Sequence, residues 1–145
     1  MTEINETIRK FGYPDTLLGD YDHWVVLLRP QQVTVGSLVL ACKGAAASMA
    51  EVAAEAYAEL QMVTGDLQSA LKSSFDYDKI NYLLLMMVDP QVHFHVIPRY
   101  GSTRELAGRA YADPFWPGPP DVRQALGLDE QSFIELYDEL KRHWP

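Results

Sequence analysis

Hydrophobic and polar positions along this chain change period several times, and each change marks a candidate element. Trp24-Val25-Val26-Leu27-Leu28 is an unbroken apolar run that follows the polar stretch Asp20-Tyr21-Asp22-His23. A second run, Ser37-Leu38-Val39-Leu40-Ala41-Cys42, follows Gly36. Short runs that are apolar on both faces predict strands in the middle of a sheet. The interruption Arg29-Pro30-Gln31-Gln32 predicts that the two form a hairpin with a longish loop. From about Ser48 to about Lys72 the period lengthens, with Met49, Val52, Ala53, Ala56, Tyr57, Leu60, Val63, Leu67 and Leu71 recurring at threes and fours. That spacing predicts one helix with a single apolar stripe. Ser48 with Glu51 three residues on reads as a capping box, and Gly65 weakens the interior by about 1 kcal/mol relative to alanine.

Period two then returns. A strand is expected from about Lys79 to Met87, with Met86 and Met87 filling core, followed by a short turn at Val88-Asp89-Pro90. The next strand carries Gln91-Val92-His93-Phe94-His95-Val96-Ile97-Pro98-Arg99. Alternate residues of a strand share a face. Gln91, His93 and His95 therefore form a polar row expected to face outward, and Val92, Phe94 and Val96 an apolar row behind it. Strands joined so tightly are antiparallel neighbours. Pro98 cannot donate to a ladder and marks a strand end or an edge. Beyond Tyr100-Gly101 the chain turns irregular, with Asp113-Pro114-Phe115-Trp116-Pro117-Gly118-Pro119-Pro120. A last helix is expected with Asp129 as N-cap and Phe133, Leu136, Tyr137, Leu140 and Trp144 on one face. This order of elements fits an α+β domain with an antiparallel sheet.

Composition narrows the function. The chain has 145 residues, 48% of them hydrophobic, enough for a core, and nothing in it suggests disorder. A formal charge of −8 argues against general nucleic-acid binding through a basic surface. The single cysteine, Cys42, excludes an internal disulfide and fits a reducing cytoplasm. The polar, acidic start Met1-Thr2-Glu3-Ile4-Asn5-Glu6 is unlike a secretory signal. The apolar run Tyr82 to Val88 is far shorter than the roughly 20 residues of a membrane span.

Two chemistries use imidazoles two apart on one strand face. One is metal binding: His-x-His can supply two zinc ligands, with His23, His143 or carboxylates left to provide a third. The other is phosphoryl transfer. An unperturbed imidazole, with a pKa of about 6.5, is largely neutral at pH 7 and can attack phosphorus without a separate base. A neighbouring imidazole and amide can then hold the non-bridging oxygens where charge gathers. Against both stands a plain pair of surface histidines on a sheet. Arg99 is read first as a salt-bridge partner at the strand end and second as a substrate contact. Phe115 and Trp116 are read as packing residues.

Gln91-Val92-His93-Phe94-His95-Val96-Ile97-Pro98-Arg99 resembles the signature of the histidine triad (HIT) superfamily, His-x-His-x-His followed by apolar residues and often Pro-Arg. The segments His23 to Leu28 and Gly36 to Leu40 are similar to the family's opening hairpin, and the long helix and the Asn81 strand follow in the family's order. The resemblance covers about residues 10 to 105. It implies a HIT-like nucleotide-binding domain over 5–105, with an antiparallel sheet of about five strands and one long helix packed on it. Residues 106–145 would be a C-terminal extension made of the Pro/aromatic loop and a helix. It also implies a homodimer that binds a small-molecule nucleotide. The activity implied is hydrolysis or nucleotidyl transfer at the α-phosphate of a dinucleoside polyphosphate, nucleoside phosphoramidate or similar substrate. No cofactor is required, and a divalent metal has no support beyond the His-x-His spacing. The nucleophile role falls on His93, and the phosphate or leaving-group side on His95.

The departures from that pattern matter equally. Gln91 stands where the first triad histidine belongs, and an amide orients but cannot act as an acid. The family's glycine-rich phosphate loop is expected to be reduced here to Val88-Asp89-Pro90. Arg29 stands where relatives commonly have asparagine near the ribose and could take over phosphate binding. Ser37 replaces a histidine after the hairpin glycine, and Asn81 lies near a frequently polar position. Arg29, Ser37, Asn81 and Arg99 are thus the expected substrate-binding residues, beside His93, His95 and Gln91. A nucleotide-binding module of weak or lost catalysis is the alternative.

Overall fold

The computed structural model describes residues 3–145; Met1 and Thr2, the first residues of the polar amino-terminal stretch, lie outside the described residues. In chain order the elements are α1 (Glu6–Lys10), β1 (Leu17–Asp20), β2 (Trp24–Leu28), β3 (Leu38–Cys42), α2 (Ala54–Phe75), β4 (Lys79–Leu84), β5 (His93–Arg99), β6 (Arg104–Leu106), β7 (Arg109–Tyr111) and α3 (Glu130–His143). The first five strands form one antiparallel sheet in the order β1-β2-β3-β5-β4. The fold is α+β, as the alternation of periods predicts.

The two continuous apolar runs occupy interior strands, and every residue of both is buried. Trp24, Val26 and Leu28 with Leu38, Leu40 and Cys42 face the main core, where α2 lies across the sheet. Val25, Leu27, Val39 and Ala41 face the opposite side and form a second, smaller cluster with Ile8 of α1. A sheet buried on both faces needs apolar residues at consecutive positions, which is why these strands do not alternate.

Helix α2 starts later than its sequence pattern predicts. The expected Ser48–Glu51 capping box does not close: the Ser48 side chain caps no amide, and the Glu51 carboxylate accepts instead from the Ala47 amide at 2.9 Å and from the Ser48 hydroxyl at 3.2 Å. Only a single 3-10 turn, Met49–Glu51, forms here, after which Val52 is extended and buried in the core. The helix proper runs from Ala54 to Phe75 and ends on Asp76 in the left-handed conformation. It passes unbroken through Gly65, around which a Cβ would meet nothing within 4 Å.

Strand β4 also differs from expectation, ending at Leu84, so that residues 85–92 form a loop and not a three-residue turn. Met86 packs against the core, but Met87 is 86% exposed and is not core filling. Elements α1 and β1 carry too few residues to show a period, and neither was expected. The cap signal for α1 was nonetheless present: Asn5 accepts from the Ile8 amide at 2.9 Å, with Glu6 in the first turn and Arg9 and Lys10 in the last.

Residues after 105 share the main core. Leu106 of the β6–β7 hairpin and Leu136 and Leu140 of α3 are buried in it, and α3 lies against α2. Asp129 caps α3 as expected, accepting from the Ser132 amide at 2.8 Å. Among the described residues no helix is long and apolar enough to cross a membrane.

Two substitutions test this packing. Gly65→Ala should raise stability by about 0.5–1 kcal/mol, read as a higher urea midpoint at unchanged m value. Leu136→Ala should cost about 2–5 kcal/mol and leave a single unfolding transition; a separate early transition would show that residues 106–145 fold apart from the sheet.

Candidate functional site

Strand β5 lies between β3 and β4, which fixes the direction of every side chain on it. His93 pairs with Ala41 and His95 with Val39, so both imidazoles stand on the sheet face opposite α2. Val92, Phe94 and Val96 point into the main core. The expected alternation holds, but the histidine face is not open. Phe11, just after α1, lies over both rings, 5.5 Å from His93 and 5.8 Å from His95 between ring centroids. His93 is 1% exposed and His95 6%.

The amino-terminal segment is fastened at several points. The Asn5 side chain donates to the carbonyls of Cys42 at 2.9 Å and Gly44 at 2.8 Å. Thr7 meets Gln91 twice: its hydroxyl donates to Gln91 Oε1 and accepts from the Gln91 amide at 3.3 Å. Lys10 pairs with Asp89 at 2.7 Å, tying α1 to the 85–92 loop. None of these contacts was expected from sequence. Gln91 itself lies just before β5, and its side chain engages Thr7.

Hydrogen bonds set the tautomer of each imidazole. His93 Nδ1 lies 2.8 Å from the Gln91 carbonyl oxygen, which can only accept. Nδ1 therefore carries the proton, and the neutral ring keeps its lone pair on Nε2. His95 is the opposite case: Arg29 Nε donates to its Nδ1 at 3.2 Å, so the neutral ring has its proton on Nε2. The two rings are nearly perpendicular, at 85°, with centroids 5.0 Å apart. Among the described residues no fully buried polar side-chain atom lacks a hydrogen-bond partner. Neither Nε2 has one among the described residues.

Arg29 is the charged group nearest the imidazoles and is itself 9% exposed. Its guanidinium also donates to the carbonyls of Gln31 and, at 3.1 Å, Val122. Burial lowers its pKa, yet an arginine remains protonated throughout the accessible pH range. Burial, then Arg29, then His93 push the His95 pKa down to about 4, against a weaker upward pull from Asp89. A cavity of about 250 Å³ opens beside this group, lined by Lys10, Phe11, Arg29, Pro30 and Gln31. Ligand pockets usually begin at about 300 Å³; this recess is smaller, and neither His93 nor His95 lines it.

The other expected substrate contacts are placed differently. The Ser37 hydroxyl donates to the Thr34 carbonyl at 2.8 Å and accepts the Thr34 amide at 3.0 Å, closing the β2–β3 loop in a fully buried position. Arg99 forms a buried ion pair with Asp113, 2.7 Å from Nε to Oδ2, and donates further to Asn81 Oδ1 at 2.8 Å and the Gly118 carbonyl at 2.7 Å. These bonds commit it to holding the Pro/aromatic loop on the sheet, the ion-pair role read first for it from the sequence. Asn81 pairs in register with Ile97, two positions beyond His95, and lines a separate open hollow with Arg99 and residues 117–120. Among the described residues no three His, Cys, Asp or Glu side chains gather as a metal-ion ligand set. Cys42 is buried, which pushes its thiol up to about 11.

No protein-family model and no curated protein matches the sequence. Solved structures do match. A histidine triad protein from Marinobacter aquaeolei is 23% identical with a TM-score of 0.74, over 99% of this chain and 96% of that one. One from Sinorhizobium meliloti is 22% identical with a TM-score of 0.73, over 99% and 97%. This is the histidine triad fold. A hypothetical histidine triad nucleotide-binding protein from Sulfolobus tokodaii matches less fully, at 16% identity and a TM-score of 0.66 over 88% and 82%. The first two histidine triad proteins match over residues 106–145 as well, the part outside the motif resemblance.

The His95 environment makes a signed prediction. Between pH 6.5 and about 4 the unfolded chain binds a proton at this position and the folded chain does not. Stability to urea should therefore fall as pH drops through that window. An NMR titration should place the His95 midpoint near about 4, and a His95→Gln variant should lose the corresponding part of the slope.

Proposed function

We propose that this chain is a nucleotidyl hydrolase or transferase of the histidine triad type, passing through a nucleotidyl-His93 intermediate. The observation that carries this reading is the Nδ1–H bond from His93 to the Gln91 carbonyl. It leaves a lone pair on Nε2 and fixes the ring on a strand paired on both sides. His93 Nε2 attacks the α-phosphorus of a dinucleoside polyphosphate, a nucleoside phosphoramidate or a related nucleotide. The ring then carries positive charge with its Nδ1–H still held by the carbonyl, which stabilises the developing imidazolium. Water or an acceptor attacks the adduct and returns the electron pair to His93. His95 Nε2–H and the side-chain amide of Gln91 are suited to the non-bridging oxygens, and Arg29 supplies the positive charge that an acidic chain needs locally. The nucleotide-binding label of the Sulfolobus tokodaii protein supports the same ligand class.

A homodimer belongs to this reading. Strand β4 is an open edge of the sheet, and Leu85, Met87 and Val88 are exposed beside it; unpaired edges with apolar neighbours favour pairing with another chain.

A second reading, a nucleotide-binding module with weak catalysis, rests on Gln91 in place of the first triad histidine and on the cover formed by Phe11. Substitution His93→Asn separates the two. Under the first reading it lowers turnover by about a thousandfold or more, while nucleoside monophosphate affinity and the unfolding midpoint stay close to wild type. Intact-mass spectrometry after acid-free quenching should show a nucleotidyl adduct on the wild type and none on His93→Asn. Binding without adduct or products, with turnover appearing only in Gln91→His, would establish the second reading.

A further inference from the structure

We infer that this site selects substrates by their leaving group: it cleaves nucleotides whose α-phosphate is joined to another phosphate in an anhydride and spares those joined to an amine. The inference rests on the nucleotidyl-transfer reading above and goes further by choosing among its substrate classes.

When His93 Nε2 bonds to the α-phosphorus, the bond to the leaving group breaks and that group keeps the electron pair. An amine leaving as its anion is prohibitively basic, so a phosphoramidate must receive a proton from an acid as the P–N bond breaks. A phosphate or pyrophosphate leaves as a stable oxyanion and needs only hydrogen bonds and positive charge. The groups around the two imidazoles supply the second requirement and not the first. Gln91 is an amide, which donates a hydrogen bond without releasing a proton. His95 could act as an acid only as imidazolium, with protons on both nitrogens. Its Nδ1 is instead occupied by the Arg29 Nε–H at 3.2 Å. Protonating Nδ1 would set two donors against each other beside a fixed cation, in a nearly buried position. The same guanidinium is anchored by the Gln31 and Val122 carbonyls, so it cannot easily withdraw. Lys10, the other cation lining the recess, is paired with Asp89 at 2.7 Å. What remains at the site is a neutral Nε2–H donor backed by a positive charge, complementary to a departing anion.

Arg29 is thus a specificity-determining residue. In the second half-reaction water bonds to phosphorus, the N–P bond returns its pair to His93, and the water proton leaves to solvent or to the departed phosphate. No acid is needed there either.

The test is a substrate series on the full chain that varies the leaving group on a nucleoside 5′-phosphate, adenosine first. It comprises diadenosine triphosphate, the p-nitrophenyl ester and an N-alkyl phosphoramidate, with guanosine counterparts. General acid catalysis is worth about 10²–10⁴ in rate. The expected result is kcat/KM for the anhydride and the p-nitrophenyl ester above the phosphoramidate by about that factor. In Arg29→Leu, with Nδ1 of His95 freed, the phosphoramidate should gain relative to the anhydride. Comparable kcat/KM for amine and anhydride in the wild type overturns the inference, whether or not the variant folds. An unchanged ratio in a folded Arg29→Leu protein does the same. A nucleotidyl adduct formed from the p-nitrophenyl ester sustains the underlying reading in either case. Absence of adduct and of turnover with every member of the series removes that reading, and the preference with it.

Discussion

The hydrogen bond from His93 Nδ1–H to the Gln91 carbonyl is the contact on which the proposed chemistry of the site depends. It decides which nitrogen holds the lone pair, and it does so through backbone that the sheet already positions. Gln91 could be any residue for this purpose, since the acceptor is its carbonyl. What its side chain adds is the link to Thr7. The carbonyl is held in turn because Val92 is bonded on both sides, its amide to Ala46 and its carbonyl to the Cys42 amide. As the proposed nucleophile, His93 is thus held by a strand flanked by two others and by a carbonyl at the fastened end of the 85–92 loop.

Legibility from sequence followed the strength of the local pattern. The β2 and β3 runs, the long stripe of α2 and the alternation of β5 are each long enough to reveal their period, and all are where the pattern places them. Boundaries were less legible. Ser48 and Glu51 flank a single 3-10 turn without closing a capping box, and Val52 is drawn into the core before the helix begins at Ala54. Met87 continues an apolar run in sequence, yet β5 pairs with β4 only as far as Leu84, and beyond that point nothing remains for it to pack against. The site was legible in its centre and not at its rim. His93, His95 and Arg29 are brought together as their positions suggest. Thr7 and Phe11 come from a five-residue helix and its exit, where no period can be read, and they reach the site only through tertiary contact. Ser37 and Arg99 carried polar chemistry that the fold spends on its own loops.

Residues after 105 are structural partners of the site as well as of the core. Arg99 holds the Pro/aromatic loop through Asp113 and Gly118, and further along that segment the Val122 carbonyl receives Arg29. Leu126 donates to the Gln32 carbonyl at 2.8 Å, in the loop that also carries Arg29. The guanidinium beside His95 is therefore gripped from two distant parts of the chain. A charge held in this way costs little reorganisation when a substrate arrives.

The double contact between Thr7 and Gln91 has a consequence for how anything enters. A displacement of the whole of α1 would break both Thr7 contacts and release the residue whose carbonyl orients the proposed nucleophile. Admission has to proceed with the helix left in place. Phe11, the ring beside both imidazoles, follows α1 and takes no part in the Thr7–Gln91 contact. For the proposed ligand, that ring is the one cover whose displacement leaves the orienting carbonyl fastened.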